Sequence, residues 1–379
     1  MKTRIGIIFG GRSGEHEVSV RSARAVIEQI DKNKYSVVPI AIDHRGSWLD
    51  PSTSASLLPI ETAELIRQDV NEIRADSVAF IGDPKHRGLA NLGRGSGPET
   101  VHRIDVAFPV LHGTFGEDGT IQGLFELADI PYVGCGVLAS ACGMDKVTMK
   151  ALFARAGLPI CKYDWFLRSD WEGMPEKVVE KVERSVGYPA FIKPANLGSS
   201  VGITRADDRN GLRLGIDKAA KFDRKVIVEE ALKMREIECA VLGNDVPQAS
   251  LPGEYIIRNK EKAFLDYKEK YEGTGNNEFV VPAPLSLELS NKIQEMAIAA
   301  FKAIDGSGLS RVDFFLRTDN GALLVNEINT MPGLTDASGY PKMWAGSGKP
   351  FSQVLDELIG FAQERHNDKA RNKTSHDLE

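Results

Sequence analysis

Residues Arg311 to Gly333 read RVDFFLRTDNGALLVNEINTMPG, and no other stretch constrains the fold as tightly. Two apolar runs with interleaved polar residues read as strands, and Asp-Asn-Gly between them reads as a hairpin turn. Successive side chains of a strand point to opposite faces. Arg311 and Asp313 therefore share a face of the first strand, and Glu327 and Asn329 share a face of the second. Two carboxylates and an amide oxygen beside an arginine make a hard-cation site next to an anion clamp. Oxygen donors suit Mg²⁺, which is typically held by one or two carboxylates together with substrate phosphates, so a nucleotide triphosphate is implied. The register depends on the turn. A two-residue turn, Asn320-Gly321, sets Asp319 against Ala322 and Asp313 against Ile328, on opposite faces from Glu327. A three-residue turn, Asp319 to Gly321 with Gly321 left-handed, sets Asp313 against Glu327 and Arg311 against Asn329. A one-residue slip flips every side chain. The three-residue turn is the expectation; the bland alternative is an exposed hairpin with solvated charges.

At 379 residues the chain has room for two or three domains. An apolar content of 42% and a charged content of 26% are ordinary for a globular protein. The net charge of −6 argues against nucleic acid as a main partner. MKTRIGIIFGG reads as a strand running into a glycine turn rather than as a secretory signal. The charge-free run Ile130 to Met144 is too short and too glycine-rich to span a membrane. Cys135, Cys142, Cys161 and Cys239 lack metal-site spacing and read as free thiols. The expected location is the cytoplasm.

Ile5 to Phe9, a helical pattern with Val18, Ser22, Ala25, Val26 and Ile30 on one face, and Tyr35 to Ile42 make a βαβ opening, hence a parallel sheet. Pro51 to Pro98 reads as an insertion or long loops. Ile104 to Leu111 is a strand ending at His112, and a helix follows from about Thr120 to Ala128. The first domain is expected to cover 1–142. A helix over Asp145 to Ala156, stopped by Gly157, and a strand over Pro189 to Lys193 belong to a second part, 143–225. Val226 to Glu230, Glu236 to Leu242, a helix with Ile293, Met296, Ala297, Ala300, Phe301 and Ile304 on one face, and the hairpin belong to a third, 226–365. The polar tail, 366–379, is expected to be disordered.

Further motifs carry chemistry. Gly10-Gly11-Arg12-Ser13-Gly14-Glu15 tempts a dinucleotide reading, with Asp43 where a ribose acid would sit, but Arg12 breaks G-x-G-x-x-G. Glu15 is placed to bind a small ammonium group; equally, Glu15 or Glu17 complements a helix dipole. His112-Gly-Thr-Phe-Gly-Glu-Asp-Gly is a strand-end loop whose glycines admit a ligand, and its histidine is either a carboxylate or phosphate contact or merely solvated. Lys193 followed by Gly198-Ser199-Ser200-Val-Gly202 is not a Walker A sequence, yet its small residues suit an anion nest, with Lys146 as a second ammonium. Glu229 is placed to read an adenine edge and Glu236 to bind ribose hydroxyls, against a reading as solvated acids. The long segment Tyr255 to Pro284, with Tyr267, Lys268, Lys270 and Tyr271, reads as a lid.

In order, GGRSGEHEVS, HGTFGEDGTIQG, MDK, KPANLGSSVG, VEE with Glu236 beyond, DYKEKY, RVDFF and NEINTMPG resemble the ATP-grasp superfamily, and within it the D-alanine–D-alanine ligase family, from Ile5 to about Phe361. The resemblance implies an α/β and α+β architecture: an N-terminal doubly wound parallel-sheet domain followed by a two-part ATP-grasp module. It implies that Glu15 holds the ammonium of the first D-alanine, with Ser199 and Tyr271 hydrogen-bonded to it, and that His112 lies near that substrate's carboxylate. It implies Lys146, Lys193, Lys270 and Ser200 on ATP phosphates, Glu229, Glu230 and Leu232 around adenine, and Glu236 on ribose. Glu230 departs from the family form, where lysine is common. Asp313, Glu327 and Asn329 are implied to hold two Mg²⁺ or Mn²⁺ ions, Arg311 and the Gly333 backbone to stabilise an oxyanion, and Ser338 and Gly339 to take the second D-alanine's carboxylate. Partners would be D-alanine and ATP, with no nucleic acid or membrane, in a homodimer making D-alanyl-D-alanine for peptidoglycan.

The residue types suit that chemistry. A carboxylate resists amine attack until phosphoryl transfer converts it to an acyl phosphate. Donors aimed at the later tetrahedral oxyanion supply much of the acceleration, and a lid excludes water. Rival readings are a D-alanine–D-lactate or D-serine ligase, another carboxylate–amine ligase, and a non-catalytic nucleotide sensor. In the family, tyrosine at 271 accompanies dipeptide synthesis, and retention of Asp313, Glu327 and Asn329 speaks against a sensor. A dehydrogenase is disfavoured by the broken glycine fingerprint.

Overall fold

The apolar run Thr3–Gly10 (β1) is buried along most of its length, which is why it lies inside a parallel sheet rather than at an edge. It pairs in parallel with Tyr35–Ile42 (β2) on one side and Val106–Pro109 (β6) on the other. Helix α1, His16–Gln29, joins β1 to β2 and buries Val18, Ser22, Ala25 and Val26, the face expected from their spacing. Because β1 has its neighbours on both sides, the loops leaving β1 and β6 meet at the carboxyl ends of the strands, where ligands of open α/β sheets collect. The computed structural model describes residues 2–70, 78–92, 99–198, 201–257 and 277–373.

The segment expected to be loops is more ordered than that. It contains short helices Pro51–Ala55 (α2) and Ile60–Leu65 (α3) and strands Val78–Phe80 (β3) and Gly88–Asn91 (β4), which form an antiparallel sheet with Glu99–Arg103 (β5) just beyond it. Phe80 and Leu89 pack with Ile8, Ile40 and Phe125 on one face of the first sheet. Strands of three to five residues carry too little period to be read from sequence. Asp43 is no ribose acid here; its Oδ1 accepts from the Arg45 and Ser47 amides and closes a turn.

After helices Thr120–Leu127 (α4) and Val137–Met144 (α5), Asp145 caps Lys146–Arg155 (α6) by accepting from Val147 N and Thr148 N. A four-stranded antiparallel sheet follows, made of Tyr163–Leu167 (β7), Ala190–Pro194 (β8), Thr204–Ala206 (β9) and Lys225–Glu230 (β10), in the order β7-β10-β8-β9. Arg168–Gly173 (α7) precedes Pro175–Ser185 (α8) and Arg209–Ala219 (α9), and the last two cover one face through Val179, Val182, Leu212 and Ile216. The boundary expected between 225 and 226 falls inside β10. That strand hydrogen-bonds to β7 and β8, so the chain leaves this sheet only after Glu230.

The last sheet runs Asn277–Val280 (β14), Gly253–Ile257 (β13), Met234–Gly243 (β11), Gly308–Arg317 (β15) and Leu323–Asn329 (β16), with Gln248–Ala249 (β12) on β11. Helix α10, Leu287–Ala303, buries Ile293, Met296, Ala297, Ala300 and Phe301 against it. Helices α11, Gly339–Gly346, and α12, Phe351–Lys369, pack Tyr340, Trp344, Leu355 and Leu358 into a core shared with β1 and β6. The tail expected to be disordered from 366 is helical to Lys369. His366 Nε2 lies 2.9 Å from Asp129 Oδ1, and Lys369 pairs with Glu126. These acids, on the loop and helix around α4, hold a polar sequence that composition marks as loose.

Candidate active site

The register of β15 and β16 sets the site. Arg311 lies opposite Asn329 and Asp313 opposite Glu327, as expected, but by another route. Leu316 pairs with Leu323, and Arg317 N donates to Ala322 O, so four residues, 318–321, form the turn. Gly321 is left-handed, φ 71°. The ladder then shifts by one between Asp313 and Phe314, because Asn326 is an extra, bulged residue. The turn moves the register one way and the bulge restores it. Burial shows the slip: Leu323 and Val325 are buried, and the next buried position is Ile328, three residues on. That three-residue apolar step was visible in the sequence and is incompatible with a regular strand.

On β11, Glu238 lies opposite Asp313. Three carboxyl side chains thus cross three strands in one row, Glu238, Asp313 and Glu327. Arg311 closes on Asp313 through both ends of its guanidinium, Nε to Oδ1 at 2.6 Å and Nη2 to Oδ2 at 2.7 Å, and Nε is 3.4 Å from Glu238 Oε2. Asn329 Nδ2 donates to Asp313 Oδ2 at 3.1 Å. Burial raises the Asp313 carboxyl, Arg311 opposes this, and Glu238 and Glu327 add to it, leaving Asp313 pushed up to about 6. Glu238 Oε2 is buried and accepts no hydrogen bond among the described residues. A row with more negative charge than its own arginine neutralises, built of oxygen donors, fits a hard divalent cation. Turning the Asn329 amide over would present its oxygen to the same point. Glu238 was missed by the sequence reading; its spacing of two from Glu236 on one strand was the available signal.

A second corner forms where β1 and β6 end. Glu15 stands at the start of α1, and its Oε2 lies 2.7 Å from where a Cβ on Gly113 would sit; the left-handed backbone there, φ 74°, favours glycine. Ser13 Oγ donates to His112 O at 2.9 Å and ties the two loops together. His112 is buried, not solvated. Its Nδ1 lies 3.1 Å from Met331 O and its Nε2 3.0 Å from Ser22 Oγ. A carbonyl only accepts, so Nδ1 carries the proton and Nε2 accepts from the serine. Both nitrogens are committed to protein, and burial lowers the imidazole's basicity. His112 therefore lines the cleft wall without a free nitrogen for a carboxylate. Glu117, also missed, accepts from Gly113 N at 2.7 Å. Burial and the nearby Glu15 push it up to about 8.

The third corner brings cations. Lys146 Nζ donates to Leu197 O at 2.7 Å, and burial lowers its ammonium. Lys193 Nζ lies 2.7 Å from Glu229 Oε2, and Lys150 Nζ, on α6, lies 3.0 Å from Glu229 Oε1. Lys150 also donates to the carbonyl of the bulged Asn326 at 3.1 Å. Burial alone would raise Glu229; the two ammonium groups outweigh it and hold the carboxyl at about 2. Glu229 is thus 2% exposed and gripped by two lysines. Glu230 Oε1 accepts from Lys162 N at 2.8 Å. Leu232 is half-buried in the β10–β11 connection.

One cleft unites these corners. Glu15, His112, Glu117, Lys146, Lys193, Gly198, Glu236, Glu238, Arg311, Asp313, Glu327, Asn329, Gly333, Ser338 and Gly339 all line it. Ser338 is buried with its Oγ 2.7 Å from Thr335 Oγ1. A Cβ on Gly339 would lie 2.6 Å from Glu238 Oε2, so this helix start abuts the carboxylate row. Ser199, Ser200, Tyr267, Lys268, Lys270 and Tyr271 lie outside the described residues.

Lysines of α6 and β8 facing a carboxylate-lined antiparallel sheet, in a cleft closed by the strand ends of a parallel sheet, define an ATP-grasp ligase. Comparison with known proteins makes this specific. Residues 4–135 match the family described as D-ala D-ala ligase N-terminus, and residues 152–360 match D-ala D-ala ligase C-terminus. A D-alanine–D-alanine ligase of Heliobacterium modesticaldum is 47% identical over 99% of this chain and 98% of its own length. Another, from Ruminiclostridium cellulolyticum, is 48% identical over 99% of both. Among solved structures, the VanG D-Ala:D-Ser ligase of Enterococcus faecalis superposes with TM-score 0.80 at 36% identity, covering 96% of this chain and all of that one. The D-alanine–D-alanine ligase of Coxiella burnetii does so with TM-score 0.78 at 34% identity, covering 98% of each. The chain belongs to the D-alanine–D-alanine ligase family.

Proposed function

We propose that this cleft joins two D-alanines to D-alanyl-D-alanine at the expense of ATP, supplying peptidoglycan synthesis. The observation that carries the assignment of roles is the row Glu238–Asp313–Glu327 beside Arg311, facing Lys146 and Lys193 across one cleft. Asp313, Glu327 and Asn329 would hold two Mg²⁺ or Mn²⁺ ions, which when bound neutralise phosphate charge during in-line transfer. Lys146 and Lys193 orient the γ-phosphate toward the first D-alanine, whose ammonium Glu15 holds; its carboxylate oxygen bonds the γ-phosphorus, the β–γ bridging bond breaks, and ADP leaves an acyl phosphate behind. The Arg311 guanidinium with the Gly333 backbone stabilises the tetrahedral oxyanion as the second amine attacks. The C–N bond forms, the acyl–oxygen bond breaks, and phosphate leaves. Ser338 and Gly339 take the second D-alanine's carboxylate, Glu236 the ribose, and the main chain near Leu232 the adenine.

Tyr271 supports a dipeptide over a depsipeptide product. D-serine stays as the second reading, because a D-Ala:D-Ser ligase is among the structural relatives. Division into a parallel-sheet domain and two ATP-grasp parts, with the last junction near 231–233, belongs to the same reading. A homodimer is supported by Leu57, Ile60 and Leu65, exposed together around α3. A cytoplasmic location is supported by four free cysteines. Among the described residues no helix is long and apolar enough to cross a membrane.

The test is incubation with ATP, Mg²⁺ and D-alanine, following phosphate and dipeptide together, with D-lactate and D-serine as alternative acceptors. The expected product is D-alanyl-D-alanine in step with phosphate. Asp313→Ala and Glu327→Ala are each expected to abolish turnover while circular dichroism stays unchanged. Phosphate without any D-alanyl product refutes the ligation, and wild-type turnover in both variants refutes the cation site.

A further inference from the structure

Away from the cleft, the start of α1 carries another set of metal-binding side chains. His16 and Glu17 open the helix, and His44 lies on the turn after β2. One ligand atom from each lies within 4.8 Å of the others. The two imidazoles stack with centroids 3.7 Å apart at 25°, and Glu17 Oε1 is 4.0 Å from His44 Nε2. None of the three lines the catalytic cleft.

His16 is already oriented. It is buried, and its Nδ1 lies 2.9 Å from the Gly11 carbonyl. A carbonyl only accepts, so Nδ1 donates, and in the neutral ring the lone pair is on Nε2. Metal-binding histidines are commonly fixed in this way, one nitrogen donating to a backbone carbonyl and the other left to the ion. The glycine loop packs on the same ring, since a Cβ on Gly10 would lie 2.9 Å from its Cε1. A helix dipole accounts for Glu17, but not for two stacked histidines beside it.

We propose that His16, Glu17 and His44 form a binding site for a borderline divalent cation of the zinc class, separate from the oxygen-lined site of the cleft. Imidazole donors select zinc, copper or nickel over magnesium. Two imidazoles and one carboxylate leave a fourth position for water. Tetrahedral zinc with ligands at about 2.1 Å brings its donor atoms to about 3.4 Å from one another. The Glu17 and His44 side chains, 78% and 68% exposed, are free to close that gap onto the fixed His16, with His44 leaving the stack. The ion would tie the end of β2 to the Gly10–Glu15 loop through His16 and the Gly11 carbonyl.

The full chain, stripped of metal and kept in excess Mg²⁺ to fill the cleft, is titrated with Zn²⁺ by calorimetry and with Co²⁺ by visible absorption. Wild type is expected to take one zinc equivalent that Mg²⁺ does not displace. Its cobalt form should show the absorption of a low-coordinate nitrogen and oxygen site. His44→Ala and Glu17→Gln should each lose at least about tenfold in zinc affinity, the low end of what losing even an outer partner costs. Both should keep wild-type turnover without zinc. Equal zinc affinity in wild type and both variants, or no zinc bound under Mg²⁺, overturns the proposal.

Discussion

At Glu117, burial and the neighbouring Glu15 keep a proton on a carboxyl whose ordinary value is 4.5, lifting it to about 8. Between those values the unfolded chain loses the proton and the folded chain keeps it. The folded state then binds more protons, so this group's contribution to stability falls as pH rises through that window and levels off above it. Glu117→Gln removes the titration and keeps an acceptor for the Gly113 amide. The melting temperature of the variant, relative to wild type, is expected to rise from about pH 5 to about pH 8; a constant difference contradicts a protonated Glu117. Residues whose role follows from type and spacing, such as Asp313 and Glu327, were legible in the sequence. Glu117 and His112 were not, because their state depends on what surrounds them. Two residues of HGTFGEDG take their protonation from burial, and burial is a property of the folded chain.

At the scale of elements, α6, β8, β10 and β16 are joined by one buried group. Lys150 on α6 reaches Glu229 on β10 and the carbonyl of Asn326 on β16, while Lys193 on β8 takes the other Glu229 oxygen. Breaking a buried pair from one side leaves an uncompensated charge, which costs about 3–5 kcal/mol. Lys193 stays in place, so Lys150→Ala is expected to cost about 3 kcal/mol, read from urea unfolding. A loss within the range of an exposed pair, under about 1 kcal/mol, contradicts the buried arrangement. Sequence reasoning put Glu229 at a strand end but not in the grip of Lys150, which lies 79 positions away in the chain. The hairpin carries the same lesson. Pairing of Asp313 with Glu327 was legible from face alternation, whereas the four-residue turn was not. The three positions from Val325 to Ile328 mark the bulge in the sequence itself.

For the whole molecule, the seam between the parallel sheet and the last sheet is closed by α12. Arg365 lies over the Tyr132 ring at 4.2 Å and donates to Tyr132 O at 3.0 Å and Ser307 Oγ at 2.6 Å. Hydrogen bonds to a charged group are worth about 1.5–3 kcal/mol, so Arg365→Ala is expected to lower stability by that amount, measured by thermal unfolding. An unchanged melting temperature contradicts the seam. This helix was expected to fray into a disordered tail at 366, because composition does not reveal that Asp129 and Glu126 wait for its last turn. By itself the sequence determined the parallel opening, the long amphipathic helices, the faces of the hairpin and, through its ordered motifs, the family. These follow from periodicity and local residue chemistry, which act over a few positions. Only the tertiary structure decided the carboxylate row through Glu238, the lysine grip on Glu229, the burial of His112 and Glu117, and the extent of α12. Each of these depends on which distant groups are brought together away from water, where desolvation and pairing outweigh a side chain's intrinsic preference.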